Sequence, residues 1–170
     1  MSEVRTLGVE KIEISAIAGD GGVGTAFAAL GVTYKDTAEL TQEDPVTTEH
    51  KSEESDEPEE VVVEKGPTTI KWSIINCDPD TLVSILGGEA TGTAPNKIWS
   101  APDAAANIEK SIKITPKAGM VITVVRAKLT AKLNYKIART GILQVDIVAK
   151  VLKPTKADTA AMTLSPKPAE

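Results

Sequence analysis

Residues 120–137 read MVITVVRAKLTAKLNYKI. From position 125, Val125, Ala127, Leu129, Ala131, Leu133, Tyr135 and Ile137 fall on odd numbers. Arg126, Lys128, Thr130, Lys132, Asn134 and Lys136 fall on even ones. Such alternation has a period of two, which a helix of about 3.6 residues per turn cannot match. The stretch predicts one long strand with an apolar inner face and a basic outer face.

Its neighbours share the pattern. Residues 140–152 (TGILQVDIVAKVL) place Leu143, Val145, Ile147, Ala149 and Val151 on one face, and residues 138–141 (ARTG) suit the turn of a hairpin. Residues 108–115 (IEKSIKIT) direct Ile108, Ile112 and Ile114 inward, and residues 10–17 (EKIEISAI) do the same with Ile12, Ile14 and Ala16. Residues 61–63 (VVV) and 68–77 (TTIKWSIINC) read as strand, the latter with Ile70, Trp72 and Ile74 inward. Residues 32–42 (VTYKDTAELTQ) predict a strand with Val32, Tyr34, Ala38 and Leu40 on one side. A further short strand is expected at NKIWS, within the Gly-, Ala- and Pro-rich loop 89–107.

One segment has helical spacing. In DPDTLVSILGG (78–88), Asp78 is an N-cap whose carboxylate accepts from first-turn amides. Pro79 fits the first helical position, Asp80 favours the positive end of the dipole, and Leu82, Ile85 and Leu86 form an apolar stripe. Gly87 and Gly88 end the helix, which is expected over about 79–86. The expected fold is mainly β: an antiparallel sandwich or barrel-like domain over 1–152, with one short helix. An acidic loop is expected at about 41–60, and residues 153–170, with Pro154, Pro166 and Pro168, read as an extended C-terminal tail.

The inventory disfavours catalysis. The 170 residues hold one Cys and one His, Cys77 and His50. They allow no internal disulfide and no ordinary zinc or iron–sulfur site. A Ser-His-Asp triad would have to use His50, in an acidic segment. Cys77 precedes a helix N-terminus but reads as a buried structural thiol. Gly19-Asp20-Gly21-Gly22-Val23-Gly24 fits a dinucleotide-binding pattern, yet the helix after it could span only Thr25 to Leu30, too short for a parallel crossover. It reads as a loop. No catalytic residue, metal ligand or cofactor site is expected. No apolar run is long enough for a membrane helix, and the start MSEVRTLGVEKIEIS has no apolar region of the secretory kind.

Charge is divided along the chain. Residues 1–95 hold 6 Lys/Arg against 19 Asp/Glu, and residues 96–170 hold 13 against 5. Residues 49–60 (EHKSEESDEPEE) alone carry 7 acids and one Lys. Such halves could meet between copies. The interface candidates are Glu53, Glu54, Asp56, Glu57, Glu59 and Glu60 on the acidic side and Arg126, Lys128, Lys132 and Lys136 on the basic side. Trp99, in a loop, is a candidate interface anchor. Only five residues are aromatic (Phe27, Tyr34, Trp72, Trp99 and Tyr135), few for a protein that stacks on single-stranded nucleic acid.

The order of these pieces resembles the phage major tail tube proteins. It begins with a strand and a Gly-rich lead (GDGGVGTAFAALG, 19–31), then a strand running into an acidic loop (32–60). A strand and an Asp-capped helix ending in Gly-Gly follow (69–88), then a loop with Trp99 and two long closing strands (119–152). No single motif is diagnostic; the arrangement carries the likeness over nearly the whole chain. The resemblance implies a sandwich-like fold and a structural subunit forming hexameric rings. The rings would stack into a hollow tube, in a virion tail assembled in the cytoplasm of a bacterial host. The genome would pass through the lumen without sequence-specific binding. The implied partners are further copies of the chain and other tail proteins, with no membrane. In that family the long loop between the second and third strands, here about Thr41 to Glu60, touches neighbouring subunits. Inner-tube proteins of contractile injection and type VI secretion systems share the architecture and stand as an alternative. So does a monomeric β-sandwich binding module, for which Trp99 and Tyr135 would be the platforms.

Overall fold

The computed structural model describes residues 4–168; residues 1–3 and 169–170 of the two terminal segments lie outside the described residues. Strand outweighs helix 47% to 5%, and every strand pairing is antiparallel. In chain order the strands are β1 (Lys11–Ser15), β2 (Ala28–Ala29), β3 (Glu39–Gln42), β4 (Val46–Lys51), β5 (Pro58–Glu64) and β6 (Thr68–Ile74). The helix α1 (Pro79–Leu86) follows, then β7 (Glu89–Thr91), β8 (Ile98–Ser100), β9 (Ile108–Thr115), β10 (Met120–Tyr135), β11 (Leu143–Val151) and β12 (Met162–Pro166). The main sheet runs β2-β1-β9-β10-β11-β6-β3, with β12 also on β10, while β4-β5 and β7-β8 are separate two-stranded ribbons.

β10 organises the molecule because it changes partner halfway. Met120–Val124 pair with β12, and Ala127–Tyr135 pair with β11 on the same edge. On the other edge, the register with β9 shifts between Val124 and Ala127. A bulge of this kind bends the strand and re-aims its side chains. Val124, an even residue, therefore joins the core before the bulge, and the odd residues Ala127 and Leu129 join it afterwards. Three backbone polar groups of the bulge have partners outside the β9–β10 ladder. Val125 N–H donates to the Ala161 carbonyl (3.0 Å), and the Arg126 carbonyl accepts from Leu152 N–H (2.9 Å). The Val125 carbonyl accepts from Ser111 Oγ (2.6 Å), which itself accepts from Gly24 N–H (2.9 Å).

The bent sheet folds over itself in a sandwich-like arrangement. Ile12 and Ile114 of β1 and β9 face Leu40 and Ile70 of β3 and β6 across a cleft of about 120 Å³. One core unites Ile12, Ile14, Ile112 and Ile114 with Ile70, Trp72, Ile74, Val145, Ile147 and Ala149. The sheet's end strands β2 and β3 are not paired with each other, so it is folded over and not closed into a barrel. α1 packs Leu82 and Ile85 onto the core. The expected cap is present: Asp78 accepts from Thr81 N–H (3.2 Å) and from Thr81 Oγ1 (2.6 Å).

Several expectations need correction. Val32, Tyr34 and Leu40 are exposed, because Asp36 adopts a left-handed φ of 59° and reduces the expected long strand to a bridge at Thr33 and the short β3. On β10 the buried odd face ends at Leu129, with Ala131 half-buried. Leu133 (47%), Tyr135 (51%) and Ile137 (88%) are exposed, since the groove made with α1 and the loop after β8 runs along β10 only from Leu129 to Leu133. Part of the C-terminal tail is regular: β12 lies on β10, and Lys167 pairs with Glu10 (2.5 Å). The Gly-rich segment is a packing element. Gly24 is buried, and a methyl there would run into the Ala16 carbonyl and the Ser15 hydroxyl.

Candidate assembly surfaces

Two hairpins reach beyond the sandwich. The first is the acidic segment, which is not a loop but the β4–β5 arm. Thr47 pairs with Val63 and Thr48 with Val62, so β-branched residues oppose one another there, and Glu49 pairs with Val61. Every residue of both strands is exposed, including Val46, Val61, Val62 and Val63. Glu53, Glu54, Asp56 and Glu57 occupy the turn, with Glu59 and Glu60 just inside β5. Ser52 Oγ donates to Glu59 (3.1 Å), and Glu57 N–H donates to Ser55 Oγ (3.2 Å). Lys51 is the cation beside these acids, 3.8 Å from Glu49. A two-stranded ribbon alone is marginal in water, so this one lacks the packing that normally sustains it.

The second is the end of the β10–β11 hairpin. Tyr135 pairs with Leu143 and Leu133 with Val145, which places these side chains on the inner face. Past the cover of α1, that face is open to solvent. Leu133 also borders a groove of about 310 Å³ between α1, the loop after β8 and β10.

The four basic residues have different surroundings. Arg126 is bound by Glu109 through two hydrogen bonds (2.7 and 3.0 Å), and its Nη1 donates to the Lys153 carbonyl (3.3 Å). The guanidinium lowers the Glu109 pKa below its ordinary 4.5, and Glu109 raises that of Arg126 in return. Lys128 sits directly across from Lys150, a like-charge pair on the outer sheet face. Lys132 lies across from Asp146, but Asp146 is held by Ser73 Oγ (2.7 Å) and Asn134 Nδ2 (2.9 Å). Lys136 stands apart from the other three, in the turn after Tyr135. No ion pair among the described residues joins the acidic set to the basic set within one subunit.

Trp99 is half-buried against the core, and its Nε1 donates to the Gly87 carbonyl at the end of α1 (2.9 Å), so its ring braces the helix and lines the groove. Burial, and secondarily the Asp78 charge, push the Cys77 thiol above its ordinary pKa of 9.0, the reverse of what a nucleophile needs. His50 lies on the arm across from Glu60. No group of three or more His, Cys, Asp and Glu side chains among the described residues is placed to hold a metal ion. The exposed apolar tip escaped the sequence reading. The run Leu133 to Val145 contains no acid, and Ile137 and Ile142 flank its turn, which was the available signal. No protein-family model matches the chain, and no curated protein matches it.

Proposed function

We propose that this chain is a structural subunit that assembles with copies of itself into stacked rings, as the tube protein of a phage-like tail. The observation that carries the reading is the β4–β5 arm, a strand pair with all thirteen of its residues exposed. Such a ribbon gains the packing it lacks when it lies on another molecule. The order of elements resembling the tail tube proteins supports the same reading: Gly-rich lead, arm, Asp-capped helix and closing pair of long strands. An arm at one place on a subunit and its receiving surface at another make a heterologous contact. Repeated around a closing rotation, that contact gives a ring.

The test is sedimentation velocity with negative-stain imaging across a concentration series. Rings or stacked tubes are expected for the full chain. A variant whose arm is cut back, with Asp44 joined to Lys65 by a short Gly-Ser link, should keep its core and remain monomeric. A full chain that stays monomeric at every concentration, or an arm-less chain that assembles equally well, would overturn the reading.

A further inference from the structure

The inner face of the β10–β11 hairpin outruns its cover. Leu133, Tyr135 and Leu143 continue the buried row Ala127–Leu129 into solvent, with Ile137 and Ile142 exposed around the turn. Through Leu133 this ledge is continuous with the groove lined by Leu86, Trp99 and Ala106. An apolar patch of this kind on a surface marks an interaction site. The charge of the ledge is one-sided, with Lys136 and Arg139 in the turn and no acid between Leu133 and Val145, while Asp103 lines the groove.

That charge selects the occupant. A second ledge packed against the first would bring two sets of Lys136 and Arg139 together, which like-charge repulsion disfavours. The matching surface must be apolar and acidic, and the β4–β5 arm is both. It exposes Val61, Val62 and Val63, with Glu53, Glu54, Asp56, Glu57, Glu59 and Glu60 at and beside its tip. On β5, Glu59, Val61 and Val63 share one face of the ribbon and Val62 takes the other. We propose that the ledge and groove at the end of β10–β11 receive the β4–β5 arm of a second copy. Val61 and Val63, on one face of β5, lie against Leu133, Tyr135 and Leu143, and the acidic turn lies against Lys136 and Arg139. The proposal rests on the self-assembly reading above and assigns the seat of the contact, moving it away from the Lys128–Lys132 face of the sheet.

The experiment uses thiol cross-linking between chains of different sequence, all in a Cys77→Ser background. Chains carrying Val61→Cys are mixed with chains carrying Tyr135→Cys, treated with a short bismaleimide, and the heterodimer is measured by mass. Leu164→Cys, exposed on β12, replaces Tyr135→Cys in the control. Both substituted arm and ledge positions are exposed, so folding is expected to survive. The Val61–Tyr135 heterodimer should form about tenfold faster than the control, as held neighbours do. Separately, the pair Lys136→Glu and Arg139→Glu should raise the concentration needed for assembly about tenfold, and Glu57→Lys with Glu59→Lys in the same chain should recover part of it. Assembly that persists with equal cross-linking in both mixtures and no effect of the charge changes overturns this seat while self-assembly stands. A chain that never assembles and never cross-links overturns both.

Discussion

The bulge in β10 makes Ser111 the residue on which the bent sheet turns. Its hydroxyl is fully buried and makes two contacts, donating to the Val125 carbonyl and accepting from Gly24 N–H. The Val125 carbonyl lacks the ladder partner it would have in an uninterrupted sheet, because the β9–β10 register breaks there, and Gly24 lies in the loop between β1 and β2, outside any ladder. Replacing Ser111 by Ala removes one oxygen and strands both groups. A net hydrogen bond is worth about 1 kcal/mol, and a buried group left unpaired costs about 1–3 kcal/mol. Ser111→Ala should therefore destabilise the fold by about 2–4 kcal/mol. For a chain of this size that is a fall of about 5–15 °C in Tm. The assay is urea denaturation followed by the fluorescence of Trp72, which is buried in the core, at a concentration below assembly. Ser15→Ala is the control. Ser15 is also buried, but its hydroxyl donates only to the carbonyl of its own neighbour Ala16, so about 1 kcal/mol or less is expected. If Ser111→Ala costs no more than Ser15→Ala, the hydroxyl does not hold the bulge and the account of the bent sheet is wrong.

Asp78→Ala should lose about 1 kcal/mol, since the Thr81 amide and hydroxyl both forfeit their acceptor, while Asp78→Asn should lose much less; denaturation midpoints of the two variants check this. Glu109 gives a pH signature. Arg126 lowers its folded pKa below 4.5, so the stability it contributes is complete above that pH and declines as pH falls through the folded value. Urea midpoints measured from pH 7 to pH 3 should therefore fall less steeply for Glu109→Gln than for the parent chain, and parallel curves would remove Glu109 from the acid response.

The elements that the sequence foretold are those whose determinants are local. The cap at Asp78, the stop at Gly87 and the Leu82–Ile85–Leu86 stripe settle α1 without reference to the rest of the chain. Ile70, Trp72 and Ile74, or Val145, Ile147 and Ala149, declare a face by alternation, and those faces are buried. Alternation does not say how far the opposing layer extends, which is why Leu133 and Tyr135 continue the pattern yet lie in solvent. The arm was hidden by its acids and by Pro45 and Pro58, although Thr47, Thr48 and Val61–Val63 carry strand-forming branching on both sides of the turn. β12 is five residues long and ends at Pro166, and only the free edge of β10 before the bulge gives it a place. Arg126 and Trp99 are visible in the sequence as charge and ring; their engagement by Glu109 and by the Gly87 carbonyl depends on tertiary contacts that no spacing encodes.

Both edges of a bare ribbon offer unpaired amides and carbonyls, and a ribbon with exposed valines would ordinarily pair with its own kind. The six acids at and beside the tip of the β4–β5 arm oppose that outcome: two arms laid edge to edge would bring twelve carboxylates together. The cationic end of the β10–β11 hairpin likewise opposes tip-to-tip packing through Lys136 and Arg139. Arm on tip is the one pairing of the two hairpins in which the apolar faces meet and the charges attract. Each such pair is worth little when exposed, about 0–1 kcal/mol, so the charges would choose the partner and orientation while the valines and the ledge supply the affinity. Such a contact joins unlike surfaces, so a pair of subunits that does not exchange arms reciprocally keeps one arm and one seat to be filled. Assembly would then run head to tail until a rotation closes it, which is the geometry a ring requires.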